Sequence, residues 1–253
     1  MTGQREALAE ARDWPGHDLW VFAYGSLMWR PGFAYAEQRR ATLTGYRRCF
    51  CIYSVHHRGS HKRPGLVLGL DRGGSCHGVV YRIEAGAARG VLAYLQAREQ
   101  INGVYRQAQV VVDVEHGDVE QGGFETSCGL ARAGSVAASL RIDAVAFIAE
   151  PAHPSYAGRL PIAIQARLIR AAAGLSGPNL DYLASTLCHL ADLGIQEREL
   201  LRVAALAGPA LARGNGADRT ARVTGLARAL AATPVAAPVM PPVQRRRFVY
   251  RIG

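Results

Sequence analysis

The residues of this chain best suited to chemistry are Val21-Phe22-Ala23-Tyr24-Gly25-Ser26-Leu27 and, well downstream, Ala97-Arg98-Glu99-Gln100. Val21 to Ala23 read as a short buried strand, and Gly25-Ser26 interrupts it where a core strand would gain nothing from them. The strand therefore ends in a tight loop that exposes main chain. Glycine lets a ligand approach the backbone closely, and successive N–H groups in such a turn make a concavity for a carboxylate or a carbonyl oxygen. Glu99, a lone carboxylate at the end of a largely apolar helix, would be the proton carrier beside it. The same residues also fit an ordinary strand-to-turn junction and a solvated glutamate.

The elements that must position these groups fall into two halves. Apolar stretches recur at Trp20–Tyr24, Arg48–Ser54, Gly65–Leu70, Gly78–Ile83, Gln109–Val114 and Asp143–Ala149, so residues 19–150 are strand-rich. The glycine turn Asp71-Arg72-Gly73-Gly74 predicts a hairpin between Leu66–Leu70 and Gly78–Ile83. One helix stands out in this half, Ala87 to Gln100, with Ala88, Val91, Leu92 and Leu95 on one face and Glu99 at its C-terminal end. A carboxylate there opposes the helix dipole, which raises its pKa if the site is also dry. After residue 155 the spacing predicts helices over Leu160–Ala173, Leu180–Leu193 and Glu197–Ala207, with Asn179 as an N-cap. The expected fold class is α+β.

The run from Leu19 to about Leu206 resembles the ChaC-like gamma-glutamylcyclotransferases, which cleave glutathione. The resemblance rests on Val21-Phe22-Ala23-Tyr24-Gly25-Ser26-Leu27-Met28-Trp29-Arg30-Pro31-Gly32-Phe33, His57-Arg58-Gly59, Arg63-Pro64-Gly65-Leu66-Val67-Leu68-Gly69-Leu70, Arg98-Glu99 with Gly103-Val104-Tyr105, Tyr156, and Ser176-Gly177-Pro178-Asn179 with Tyr182-Leu183. It implies a mixed, barrel-like β-sheet flanked by helices. It also implies Glu99 as the catalytic acid–base, Tyr24, Gly25, Ser26 and Leu27 as the loop whose amides hold the γ-glutamyl moiety, and Tyr156 as a pocket residue, although a tyrosine after Pro-Ser fits a packing role equally well. In that chemistry the substrate's own α-amine attacks its side-chain carbonyl, so proximity supplies much of the rate and no metal, cofactor or covalent enzyme intermediate is required. Ser26 has no Gly-x-Ser-x-Gly elbow around it and reads as a hydrogen-bonding residue, not a nucleophile. Arg98 is expected either to pair with a substrate carboxylate or to orient the helix end.

Other residues compete for attention. Glu37, Glu84, Glu115, Glu120, Glu125 and Glu150 are carboxylates outside any matching motif. His56, His57 and His61 lack a second ligand cluster, which argues against zinc, and His57-Arg58-Gly59 is expected to shape the mouth of the pocket. Ala23 stands where the family commonly has Gly, and Ser60-His61-Lys62 replaces a more usual Thr-Pro-Glu.

At 253 residues and 49% hydrophobic content the chain can bury a full core without metal or disulfide staples. Five scattered cysteines without a Cys-x-x-Cys pair read as reduced, mostly buried thiols. No apolar run approaches the about 20 residues that span a bilayer and the charged start lacks a signal-peptide core, so the expected compartment is the cytoplasm, with no membrane partner. The net charge of +10 is concentrated at the C-terminus, where eight Arg from Arg213 onward face Asp218 alone. No module for nucleic acid surrounds that charge, so none is expected to bind. The organisation expected is an N-terminal extension over 1–18, one domain over 19–208 and an Arg-, Ala- and Pro-rich, poorly ordered tail over 209–253, with one short helix at about Ala217–Ala231. The substrate expected is glutathione, and the sequence sets no oligomeric state. The alternative function is a non-enzymatic regulator associated with cation/proton antiport.

Overall fold

A computed structural model of the chain describes residue 14 and residues 16–99, 103–115 and 140–207. Residues 1–13 and 15 of the N-terminal extension, the tail with its expected helix, Gln100, Glu120, Glu125 and Cys128 lie outside the described residues. Five strands, β1 (Leu19–Ala23), β2 (Glu37–Ser54), β3 (Gly65–Ile83), β4 (Tyr105–Val114) and β5 (Leu140–Ala149), close a barrel in the order β1-β3-β2-β4-β5. β1 and β5 run parallel and meet at Val21 and Val145, while the remaining pairs are antiparallel. The barrel is therefore mixed, as expected. Alternation along β1 explains how one strand serves two layers: Phe22 packs with Ala41, Leu70, Val80, Val112 and Ala146 from the other four strands, whereas Leu19, Val21 and Ala23 face the helices.

The expected hairpin at Gly73-Gly74 does not form. β3 runs unbroken through it and pairs with β2 from Glu37↔Arg82 to Ser54↔Gly65. Between Thr44↔Ser75 and Tyr46↔Arg72 a single residue, Gly45, faces Gly73 and Gly74, and all three have positive φ (89°, 95° and 77°). The glycines thus make a bulge that twists two long strands, not a turn that separates two short ones. The true hairpin turn is at 55–64, where Ser60 N–H donates to Arg63 C=O at 2.9 Å and Arg63 N–H returns to Ser60 at 3.1 Å. The departing triplet Ser60-His61-Lys62 sits at this exposed tip.

Helix α1 (Ala85–Glu99) buries Ala88, Val91, Leu92 and Leu95, the face read from spacing. Truncating Leu92, which is fully buried, to Ala would cost about 2–5 kcal/mol. The helix starts two residues earlier than expected because its cap comes from far away: Ala85 N–H donates to Asp18 Oδ1 at 3.0 Å. Asp18 also pairs with Arg82 at 2.8 Å. That hydrogen bond holds the Asp18 carboxyl below its usual range.

Helices α2 (Ile162–Ala171), α3 (Asn179–Asp192) and α4 (Arg198–Ala207) fall where the periodicity predicts and pack with α1 against the outer faces of β1 and β3. A two-residue ladder, β6 (Ala173–Gly174) with β7 (Gly177–Pro178), joins α2 to α3. Asn179 does not cap α3. Its fully buried amide instead accepts from Leu66 N–H at 2.7 Å and donates to Leu66 C=O at 2.8 Å, pinning α3 to β3. Among the described residues no helix is long and apolar enough to cross a membrane. Cys49, Cys51, Cys76 and Cys188 are buried thiols, as expected.

Candidate active site

Past Ala23 the chain turns at once. Met28 N–H donates to Gly25 C=O at 2.9 Å and Arg30 N–H to Ser26 C=O at 2.8 Å, closing a single 3-10 turn over Ser26–Met28. The amides of Gly25, Ser26 and Leu27 precede the first of these bonds and stay outside the turn's own ladder. A methyl group at Gly25 would meet nothing within 4 Å. Open space lies against this stretch of main chain.

That space belongs to an open pocket lined by Phe22, Tyr24, Gly25, Ser26, Leu27, Leu68, Glu99, Tyr105, Phe147 and Tyr182. Apolar rings form much of the wall, and the polar groups converge on it from four elements. Glu99 is delivered by the last residue of α1, with its side chain 19% exposed. Burial raises its carboxyl pKa, and the neighbouring Arg98 charge offsets part of the rise. A carboxyl poised this way exchanges protons more readily near neutral pH than a solvated one.

Three phenols complete the polar lining. Tyr24 Oη donates to Phe147 C=O at 2.8 Å and Tyr105 Oη to Leu68 C=O at 2.6 Å, so both hydroxyls are anchored by main chain. Tyr182 Oη accepts from Leu68 N–H at 3.4 Å. Burial pushes Tyr24 and Tyr105 well above the usual phenol range and Tyr182 up to about 12, and the nearby Glu99 carboxylate adds to each rise. All three remain neutral at physiological pH.

Arg98 fastens the helix end to the loop. Nη2 donates to Ser26 Oγ at 3.1 Å, and Nη1 reaches the carbonyls of Arg30 (2.8 Å) and Pro31 (3.3 Å) and Tyr94 Oη (3.1 Å), while Nε lies 3.1 Å from Glu99 Oε1. Of the two roles open to it in sequence, orienting the helix end is the one these contacts describe.

The structure thus brings together Tyr24, Gly25, Ser26, Leu27 and Glu99. Tyr156 is not among the residues lining this pocket. Its backbone bridges to Ile52, its ring packs with Cys49, Cys51, Val104 and Ala149, and its hydroxyl donates to Asp71 Oδ1 at 2.8 Å. Arg47 holds the other oxygen of Asp71 at 2.7 Å, so Tyr156 serves a structural triad. Tyr105 and Tyr182 are the residues that sequence reasoning did not assign. Both stand inside the quoted motif words, but nothing in their spacing says that a strand tyrosine and a helix tyrosine converge.

Among the described residues, the competing carboxylates do not line this pocket. Glu37 pairs with Arg39 and with Arg82, and Glu150 with Arg106 at 3.6 Å. Glu84 is exposed just before α1, and Glu115 lies on the wall of a separate pocket with Arg40 and His77. His57 Nδ1 contacts Ser176 Oγ at 3.0 Å, and His56 and His61 stack edge to face at 5.8 Å. Arg58 donates to Ser176 C=O at 2.6 Å and stands 5.4 Å over the Tyr182 ring. The 57–59 loop meets the site at Tyr182, over whose ring Arg58 stands.

A family model described as ChaC-like protein matches residues 19–206. This chain belongs to the ChaC-like family. It is 33% identical to the glutathione-specific gamma-glutamylcyclotransferase of Escherichia coli K12 over 179 residues, 71% of this chain and 68% of that one. It is 35% identical to glutathione-specific gamma-glutamylcyclotransferase 1 of Mus musculus over 167 residues, 65% of this chain and 66% of that one. The chain spans about two thirds of the length of these curated relatives. Among solved structures, a gamma-glutamyl cyclotransferase specific to glutathione from yeast superposes with a TM-score of 0.63 at 23% identity, covering 77% of this chain and 97% of that one. That likeness shows a shared fold.

Proposed function

We propose that the protein is a gamma-glutamylcyclotransferase that converts glutathione to 5-oxoproline and Cys-Gly. The observation that carries this reading is the meeting, in one pocket, of a buried glutamate with a raised pKa and the tight glycine-containing loop Tyr24–Leu27. The names of the relatives from Escherichia coli and Mus musculus support the same substrate. The γ-glutamyl unit lies along Tyr24–Leu27, its anionic and carbonyl oxygens toward the loop amides. Glu99 takes a proton from the α-ammonium. The freed amine attacks the γ-carbonyl carbon, forming the C–N bond of the five-membered lactam and a tetrahedral oxyanion that neutral donors on the wall stabilise. Collapse breaks the amide bond to cysteine as Glu99 returns the first proton to the departing nitrogen, and the second proton shed by the lactam nitrogen follows by the same carboxylate, leaving the neutral lactam and Cys-Gly as its ammonium. No water is consumed and no electron changes hands.

The site residues in this reading are Glu99 as catalytic acid–base and Tyr24, Gly25, Ser26 and Leu27 as binding loop, joined by Tyr105 and Tyr182. Tyr156 supports the barrel behind them. The relatives, named as enzymes, lend nothing to the alternative of an antiport regulator. The reaction needs no added cofactor, and the protein is expected to work in the cytoplasm without nucleic-acid or membrane partners. Purified protein incubated with glutathione in EDTA should release 5-oxoproline, followed by mass, and N-acetylated glutathione should be inert because its amine cannot attack. Absence of 5-oxoproline from glutathione, or turnover of the acetylated analogue, would overturn the reading.

A further inference from the structure

Arg48, in the middle of β2, has a side chain with no exposure to solvent. A buried charge must be compensated, and here four segments do so. Nε donates to Tyr24 C=O at the end of β1, Nη1 to Glu197 just before α4, and Nη2 to His77 C=O on β3 at 2.6 Å with Met28 Sδ at 3.7 Å. Glu197 is the countercharge, its carboxyl pKa raised by burial and drawn back down by Arg48. Arg48 does not line the candidate active site. Its contact with Tyr24 nevertheless bears on that site through one peptide unit.

A trans peptide is planar, with its C=O and N–H pointing in opposite directions. The chain has no cis bonds among the described residues, so a Tyr24 carbonyl held by Arg48 turns the Gly25 N–H the other way. Gly25 lines the pocket and carries no side chain to fix its orientation. The peptide planes on its two sides are held by Arg48 at Tyr24 C=O and by Met28 N–H at Gly25 C=O. We propose that Arg48 is a positioning residue for the binding loop, locking the Tyr24–Gly25 peptide so that the Gly25 N–H faces the substrate. The proposal rests on the reading of this pocket as the γ-glutamyl site. The cationic donor also polarises the peptide, which strengthens the N–H as a donor on its far side. Lysine cannot substitute, because only the planar guanidinium reaches Tyr24, His77 and Glu197 at once.

The test compares Arg48→Lys with Glu197→Gln. Both disturb the buried pair and lower the thermal midpoint, but only the first removes the hold on Tyr24. Arg48→Lys should raise KM for glutathione at least tenfold with a smaller change in kcat, and Glu197→Gln should leave KM within about twofold of wild type. In 15N-labelled protein the Gly25 amide should shift upfield and exchange faster in Arg48→Lys and stay put in Glu197→Gln. If Arg48→Lys alone does not fold, the double variant Arg48→Met/Glu197→Gln, which removes both buried charges, carries the same comparison. An unmoved Gly25 amide in a folded Arg48 variant, or a KM that tracks lost stability equally in both single variants, would overturn the proposal. The amide measurement needs no substrate, so a protein inert toward glutathione would refute the functional reading while still deciding the role of Arg48.

Discussion

Arg98 keeps its Nε 3.1 Å from the carboxylate of Glu99, its neighbour in the chain, and with the same guanidinium grips Ser26 across the pocket. The pair sets two things at once, the distance of the proton carrier from the binding loop and its readiness to hold a proton. Burial favours the neutral acid, Arg98 favours the carboxylate, and burial wins. A glutamate that must first accept and then return a proton needs this balance, since a fully stabilised carboxylate would be a weak base.

The balance makes the pH profile informative. Activity requires Glu99 ionised at the start of the reaction, so the acid limb of kcat/KM should lie above the ordinary carboxylate range. Arg98→Met removes the influence that lowers the Glu99 pKa, and the acid limb should move to higher pH. Profiles of wild type and variant, measured on glutathione, decide the matter. A limb that stays in place would mean that Glu99 is not the group being titrated.

Gly25→Ala probes the pocket floor. Because a methyl there meets no protein atom within 4 Å, the fold should tolerate it and the thermal midpoint should change little. The methyl would occupy space the substrate needs beside the loop amides, and KM for glutathione should rise by about tenfold or more. Wild-type KM would place the γ-glutamyl group elsewhere in the pocket.

The elements that position this site differed in how legible they were. Ala88, Val91, Leu92 and Leu95 announce α1 because a buried helix face must repeat with the helix, and Val21 to Ala23 announce β1 for the same reason on a strand. The first half of β2 gave no such signal: Glu37, Arg39 and Arg82 hold it by ion pairs at the barrel's edge, so its pattern is not apolar alternation. Gly73-Gly74 reads locally as a turn, and only pairing with distant Gly45 makes it a bulge. The start of α1 hides because Asp18, far upstream, supplies the cap. At the site itself the loop and Glu99 were recognisable as short words. Tyr105 and Tyr182 meet only through the closed barrel and α3, a relation that spacing along the chain does not encode.

The family match ends at residue 206 and α4 at Ala207. The chain beyond Pro209 adds a Pro-Ala run and an excess of arginine, and every site residue named above precedes it. A protein ending at Pro209 should therefore keep wild-type glutathione turnover and nearly the same thermal midpoint. An insoluble or inactive truncation would show that the last segment completes the domain.

The most direct prediction concerns Glu99→Gln. Glutamine preserves the shape and can still accept from Arg98, but it cannot take the ammonium proton. Turnover of glutathione should fall at least about 10²-fold, the scale of losing a positioned acid–base group. Binding, measured by calorimetry, should largely persist because the loop amides are untouched. Stability supplies an independent check with a definite sign. A carboxyl whose folded pKa is raised favours the fold at low pH, an advantage that fades as the pH climbs through the folded value. At neutral pH the buried charge is therefore a cost, which the substitution removes. The variant should melt at the same temperature as wild type or slightly higher at pH 7, and its advantage should vanish at acidic pH. A folded Glu99→Gln protein with near-wild-type turnover would return this helix end to the role of an ordinary half-buried carboxylate.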